Sequence, residues 1–312
     1  MVALGAASVV GSSWVYTSSS FFAEYGAGGE IFGFCIATVI AIFIALSYAE
    51  LATIFPRAGG GVVYAYVAFG KKTSFVAGWA LIGAYMAIIA FFVTASSYLL
   101  AKLIPQLDSG PFYTIAGVSV HLPELIFGVA LTIVVFVFNY FGIRLASGVQ
   151  RVMFSAMIII GVILLVVGFS HGSASNFWPA FSSNMQPIPS VMRFMLPAMT
   201  YMTGFEVVAV LAEEANMSSR KIGLSVVLSV AMAGCFYVLV LLSSAFVIPW
   251  QQTATYKMGV IDSFTHAGFP ALGYAAFAVS CLGLVSSFLG LFAAAPRLVL
   301  SLARANMLPK VF

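Results

Sequence analysis

Charge is what this sequence has least of. Only 7% of its 312 residues are charged, against about 25% in ordinary soluble domains. With 62% hydrophobic residues and a mean hydropathy of +1.10, a soluble globular protein is excluded. Cysteine is equally scarce. Cys35, Cys235 and Cys281 all lie in apolar runs, where each reads as a small buried hydrophobe, and no disulfide framework or metal-ligand spacing can be built from them. His121, His171 and His266 are scattered between the apolar runs. No glycine-rich phosphate loop and no basic patch with interleaved aromatics is present, so nucleic acid is not an expected partner. No His/Cys/Asp constellation falls in the apolar runs, so neither an enzyme nor a bound cofactor is expected.

What is present is a series of long apolar runs. A bilayer core of about 30 Å takes about 20 apolar residues as a helix. Eight runs reach that length, at roughly 3–22, 31–54, 75–104, 124–141, 148–169, 192–212, 222–248 and 271–300. The stretches "EYGAGGE", "PRAGGG", "DSGPF" and "HGSASNFWPAFSSNMQPIP" between them read as turns and loops. The expected class is an all-α polytopic membrane protein in contact with a lipid bilayer.

The few basic residues orient it. With the N-terminus in the cytoplasm, the inner side holds Arg57, Lys71, Lys72, Arg144, Arg151, Arg220, Lys221, Arg297, Arg304 and Lys310, and the outer side only Lys102, Arg193 and Lys257. Positive residues accumulate on the cytoplasmic side, so the net charge of +4 is a topology signal. A plasma or inner membrane is the expected location.

Two runs differ from the rest. The first carries Gly5, Gly11, Ser12, Ser13 and Thr17; the sixth carries Pro197, Thr200, Thr203, Gly204 and Glu206. Glycine and proline weaken a helix, and hydroxyls offer its backbone other partners. In lipid the freed backbone groups need protein, water or ligand. Paired interruptions at corresponding places in two halves point to a transporter binding site. The N-terminal end of a half-helix favours an anion and a C-terminal end a cation. Two facing breaks therefore suit a zwitterion.

Three stretches resemble the amino acid–polyamine–organocation superfamily of amino acid permeases: "YAELATIFPRAGGGVVYAYV" (48–67), "TGFEVVAVLAEEANMSSRKI" (203–222) and "APRLVLSLARANMLPKVF" (295–312). The resemblance implies an inverted-repeat fold of five plus five helices, with discontinuous first and sixth helices. Residues 1–170 would form the first repeat and 171–312 an incomplete second one, the family's later helices lying beyond the sequence. It implies alternating access, with substrate held between the first, third, sixth and eighth spans. Gly11-Ser12-Ser13 matches the family's glycine-serine-glycine motif for the substrate carboxylate, with serine in place of its last glycine. Thr203, Gly204 and Phe205 match the unwound segment that receives the amine and gates the site, and Tyr201, at the start of the same break, is a further candidate for substrate binding. No lysine stands near Met157 in the fifth span, where some proton-coupled members carry one.

Glu50, Glu213 and Glu214 read as charges near the cytoplasmic face, whereas Glu206 lies about 10 Å deeper than Glu213 along a regular helix. Such residues usually face a cavity or a partner. Two roles fit it: gating or proton coupling, and tying down freed backbone. Ser286 and Ser287 could line an ion site. The expected function is secondary transport of amino acids, driven by protons or running as an exchanger, with sodium the less favoured ion. The alternative is a non-transporting membrane fragment or a channel-like protein. The particular amino acid and the oligomeric state have no signature here.

Overall fold

Inside a bilayer a backbone must satisfy its own hydrogen bonds, and helices do so within one segment. The computed structural model accordingly consists almost wholly of helices. It describes all residues except 105–109, 116–117, 142, 216 and 310–312, together with the side chains of 98, 102–103, 115, 118 and 143–147. Of the basic residues counted above, Lys310 lies outside the described residues, and Lys102 and Arg144 are described by backbone alone.

The helices are α1 (Val2–Val9), α2 (Trp14–Ile54), α3 (Gly61–Leu103), α4 (Leu122–Tyr140), α5 (Ile143–His171), α6 (Pro187–Tyr201), α7 (Val207–Val210), α8 (Ser219–Val247), α9 (Trp250–Thr253), α10 (Gly259–His266) and α11 (Pro270–Arg304). Among the described residues, α2, α3, α4, α5, α8 and α11 are long and apolar enough to cross a membrane. The two expected spans missing from that set are the first and the sixth, the two with internal breaks. The first is split into α1 and the start of α2 by residues 10–13. The sixth is split into α6 and α7 by residues 202–206.

Several boundaries differ from expectation. The stretch 24–30 is not a loop but runs inside α2, where only Gly26 (φ 74°) departs from helical geometry and turns the chain. A side chain there would strike the backbone of Phe181 and Ser182, so the turn needs glycine. The third span begins at Gly61 rather than near 75 and turns at Gly70. A short antiparallel hairpin, β1 (Tyr113–Ile115) with β2 (Val118–Val120), joins α3 to α4; Tyr113 pairs with Val120.

The distribution of polarity is inverted relative to a soluble protein. Large apolar side chains face outward, among them Phe43, Ile133 and Val166, while Ser229, Ser243, Ser280 and Ser286 are fully buried. Buried hydroxyls tie helices through spare carbonyls: Ser243 of α8 donates to Leu164 O of α5 (2.8 Å), and Ser280 of α11 donates to Ser12 O (3.1 Å). Small residues of this kind let helices approach closely. The α1 helix packs on α5, α8 and α11, and α2 packs on α6 and α8. The stretches 1–170 and 171–312 therefore interdigitate, and the two breaks meet at the centre.

At the basic end, Arg297 pairs with Glu214 (2.7 Å) and Arg304 with Glu213 (2.9 Å). Glu213 also accepts from the Ala58 N–H (2.9 Å). These bonds join the 55–60 loop, the end of the sixth span and α11.

Candidate functional site: a cavity between two broken helices

The α1 helix ends because Val10 is extended (ψ 91°), and α2 starts at Trp14 with Ser13 as its N-cap. The carbonyls freed at the end of α1 are taken by neighbours. Tyr237 of α8 donates to Val9 O (2.7 Å) and accepts from the Gly11 N–H (3.1 Å), so one hydroxyl bridges the break. Ser286 donates to Ala7 O (2.9 Å), and Ser287 lies 3.2 Å from Ala7 O and 3.3 Å from Val10 O. Trp14 turns inward, fully buried, and its indole donates to Gly11 O (3.0 Å). Among the described residues the N–H groups of Ser12 and Ser13 have no hydrogen-bond partner.

The second break closes differently. Pro197 sits inside α6, and the chain leaves helical geometry after Tyr201. Gly204 (φ 115°) packs on the first break so closely that an added Cβ would lie 2.6 Å from Ser8 O. Glu206 is buried and both its oxygens are used: Oε2 accepts from the Gly204 N–H (2.9 Å) and Oε1 from the Tyr85 hydroxyl of α3 (3.2 Å). Among the described residues the carbonyls of Tyr201, Met202 and Thr203 accept no hydrogen bond. A bond between the hydroxyls of Thr17 and Tyr201 (2.9 Å) links the two broken helices.

Between the breaks lies a cavity of about 450 Å³. Its polar wall comes from Gly11, Ser13 and Thr17, from Tyr201 and Thr203, and from Tyr237 and Ser287. Its apolar wall comes from Ile88, Phe91 and Phe92 of α3 and Leu291 of α11. Among the described residues no charged side chain lines it. Of the residues singled out in the sequence, Gly11, Ser13, Tyr201, Thr203 and Ser287 line the cavity. Ser12, Gly204, Phe205, Glu206 and Ser286 stand behind it; Phe205 packs on Tyr48, with ring centroids 5.6 Å apart. Sequence reasoning missed Tyr237 and Tyr85, which had no signal beyond being tyrosines in apolar runs, and it missed Glu30.

A polytopic helical protein with two broken helices facing across a cavity has the build of a membrane transporter. Comparison with known proteins agrees: a family model described as amino acid permease matches residues 2–312, and the chain belongs to that family. It is 24% identical to the branched-chain amino acid permease BcaP of Lactococcus lactis, over 99% of this chain and 68% of that protein. It is 24% identical to human cationic amino acid transporter 4, over 99% of this chain and 49% of that protein. It is 29% identical to the glutamate/serine transporter AimA of Bacillus subtilis, over 77% of this chain and 44% of that protein. The chain thus spans about half to two thirds of the length of these relatives. They are transporters, not enzymes.

Proposed function

We infer that this chain takes part in moving amino acids across a cell membrane by alternating access, and that its cargo is a neutral amino acid with an apolar side chain. The observation that carries this reading is the cavity: Ser13, with an unpartnered N–H, and Tyr201 and Thr203, with unpartnered carbonyls, line it from two broken helices, and among the described residues no charged side chain does. A substrate carboxylate fits the free N–H groups of Ser12 and Ser13 at the start of α2, where the helix dipole favours an anion. An ammonium fits the free carbonyls of Tyr201 and Thr203. An apolar side chain fits Ile88, Phe91 and Leu291. The volume lies within the usual range of about 300–1,000 Å³ for small-molecule sites.

Relatives named as carriers of branched-chain or cationic amino acids leave the cargo open. The uncharged lining favours the neutral class, because a cationic side chain would enter without a counter-charge. Glu206 does not line the cavity, and we assign it to the gate, where it holds the unwound segment to α3. Ser286 and Ser287 already satisfy the carbonyls of Ala7 and Val10, so this reading does not call on sodium there. The basic end of the molecule faces the cytoplasm in this reading.

Counterflow of radiolabelled amino acids into proteoliposomes bearing the purified chain tests it. Leucine, isoleucine or valine should exchange and arginine should not. Exchange of arginine alone would overturn the substrate class, and exchange of no amino acid at all would overturn the transport reading.

A further inference from the structure

Glu30 is a second carboxyl within the apolar body of the molecule, and no step above uses it. It is 0% exposed, and neither of its oxygens has a hydrogen-bond partner. Glu206, also buried, has both oxygens occupied. Burial of an ionised carboxylate without partners costs several kcal/mol, and an apolar residue in its place would avoid that cost. The carboxyl is therefore neutral in this conformation, and the position calls for a use in another.

Its surroundings indicate which. One turn further along α2, Phe34 packs against Phe194, Tyr201 and Tyr237, with ring centroids 5.2–5.5 Å apart, and the two tyrosines line the cavity. One turn back lies the Gly26 bend. The segment 177–182 closes over that bend: Gly28 N–H donates to Ala180 O (2.6 Å), and Phe181 and Ser182 lie against Gly26. Trp178 in that segment is 64% exposed, so its far side is the molecular surface. Along α2, Glu30 thus falls between the phenylalanine that packs on the cavity tyrosines and the bend that the 177–182 segment covers.

The titratable groups around it are few. Tyr201 of α6 is within electrostatic reach, and Tyr237 of α8 stands 6.0 Å behind it. Tyr25 precedes Glu30 on α2, and Cys35 follows it, facing Cys235 of α8. Arg193 of α6 is exposed. Among the described residues Glu30 forms no ion pair.

Building on the transport reading, we propose that Glu30 is a proton-binding site of the transport cycle, sealed and protonated in this conformation and opened to water when the 177–182 segment lifts from Gly26–Gly29. On opening, the carboxyl O–H bond breaks and the proton passes to water. On reloading, a carboxylate oxygen takes a proton from water before the cover closes. The coupled ion is then the proton.

Two measurements on the whole chain test this. Infrared difference spectra in nanodiscs at neutral pH should show a protonated-carboxyl C=O band that is lost in Glu30→Gln and kept in Glu206→Gln. A spectrum identical in the wild type and Glu30→Gln means that Glu30 does not change its protonation between the states compared and overturns the proposal, whether or not the chain transports. In proteoliposomes with a lumenal pH dye, the wild type should acidify the lumen on substrate uptake. Glu30→Gln should still exchange substrate while losing that acidification and the stimulation by an inward proton gradient. Retained acidification in Glu30→Gln overturns the proposal while leaving the transport reading intact. Absence of counterflow in the wild type removes the transport reading, and the infrared result then decides the protonation of Glu30 alone.

Discussion

The two breaks solve one problem in opposite ways. The break at 10–13 is completed from outside, by Tyr237 of α8 and Ser286 and Ser287 of α11. The break at 202–206 is completed largely from within, by Glu206 two residues after Gly204, with Tyr85 as its contact to α3. A segment held by two other helices keeps its shape only while those helices stay in place. A segment that carries its own cap can change neighbours and keep its shape. In the transport reading proposed above, the second break is thus the one suited to swing as a gate, and the first the one suited to be a fixed seat for substrate.

Two glycines offer the sharpest break of this comparison. At Gly204 an added methyl meets Ser8 O at 2.6 Å, and φ is 115°. At Gly11 nothing lies within 4 Å, because that position opens into the cavity. Gly204→Ala should therefore destabilise the protein by about 3 kcal/mol through strain and clash. Gly11→Ala should leave thermal unfolding within about 0.5 kcal/mol of the wild type but weaken substrate binding. Unfolding followed with and without substrate separates the two, and equal melting shifts would dissolve the distinction.

Next in size is Tyr237→Phe. It strips Val9 O and Gly11 N–H of their shared partner, at about 1 kcal/mol each, the low end of the cost of an unpaired buried group, because both residues line the cavity. Water entering the cavity offsets part of this, so the loss should shrink when substrate is absent. Glu206→Ala should cost a similar amount, because it frees the Gly204 N–H and the Tyr85 hydroxyl. Glu206→Gln keeps an acceptor for one of them and should cost about 1 kcal/mol. If Glu206→Gln matched Glu206→Ala, the self-capping account of the second break would fail.

Much of this was legible in the sequence for simple reasons. A bilayer demands long apolar runs, and runs are visible without knowing what touches what. The breaks showed as Gly11-Ser12-Ser13 and as Pro197 with Gly204, because a helix that stops in lipid needs residues that tolerate stopping. Partners were not legible. Tyr237 in "CFYVLVLL" looks like any packing aromatic, and only the crossing of α8 with α1 makes it a bridge. Glu30 was hidden by its context: "EYGAGGE" has the composition of a turn, yet Gly26 alone turns while the rest stays helical. The hairpin at 113–120 is too short for its alternation to stand out.

The smallest effect expected is at the basic end, where the comparison reaches the surface. Glu213 anchors the far end of the second break's helix to Ala58 and Arg304. The Ala58 N–H first, and then Arg304, hold its carboxyl below the ordinary carboxylate range. A depressed folded-state value means that the tie is fully present above the ordinary carboxylate range and is lost as pH falls through the lowered value. Both side chains are substantially exposed, so the pair contributes no more than about 1 kcal/mol. Its release is local: protection of the Ala58 amide, its exchange rate relative to the intrinsic rate at the same pH, should fall on acidification, and Glu213→Gln should lower it at neutral pH, with global unfolding little changed. The internal cap at Glu206 faces no such exposure, so protection of the Gly204 amide should hold across the same titration. Parallel loss of protection at both amides would mean that the second break is held from its basic end and not by its own carboxylate.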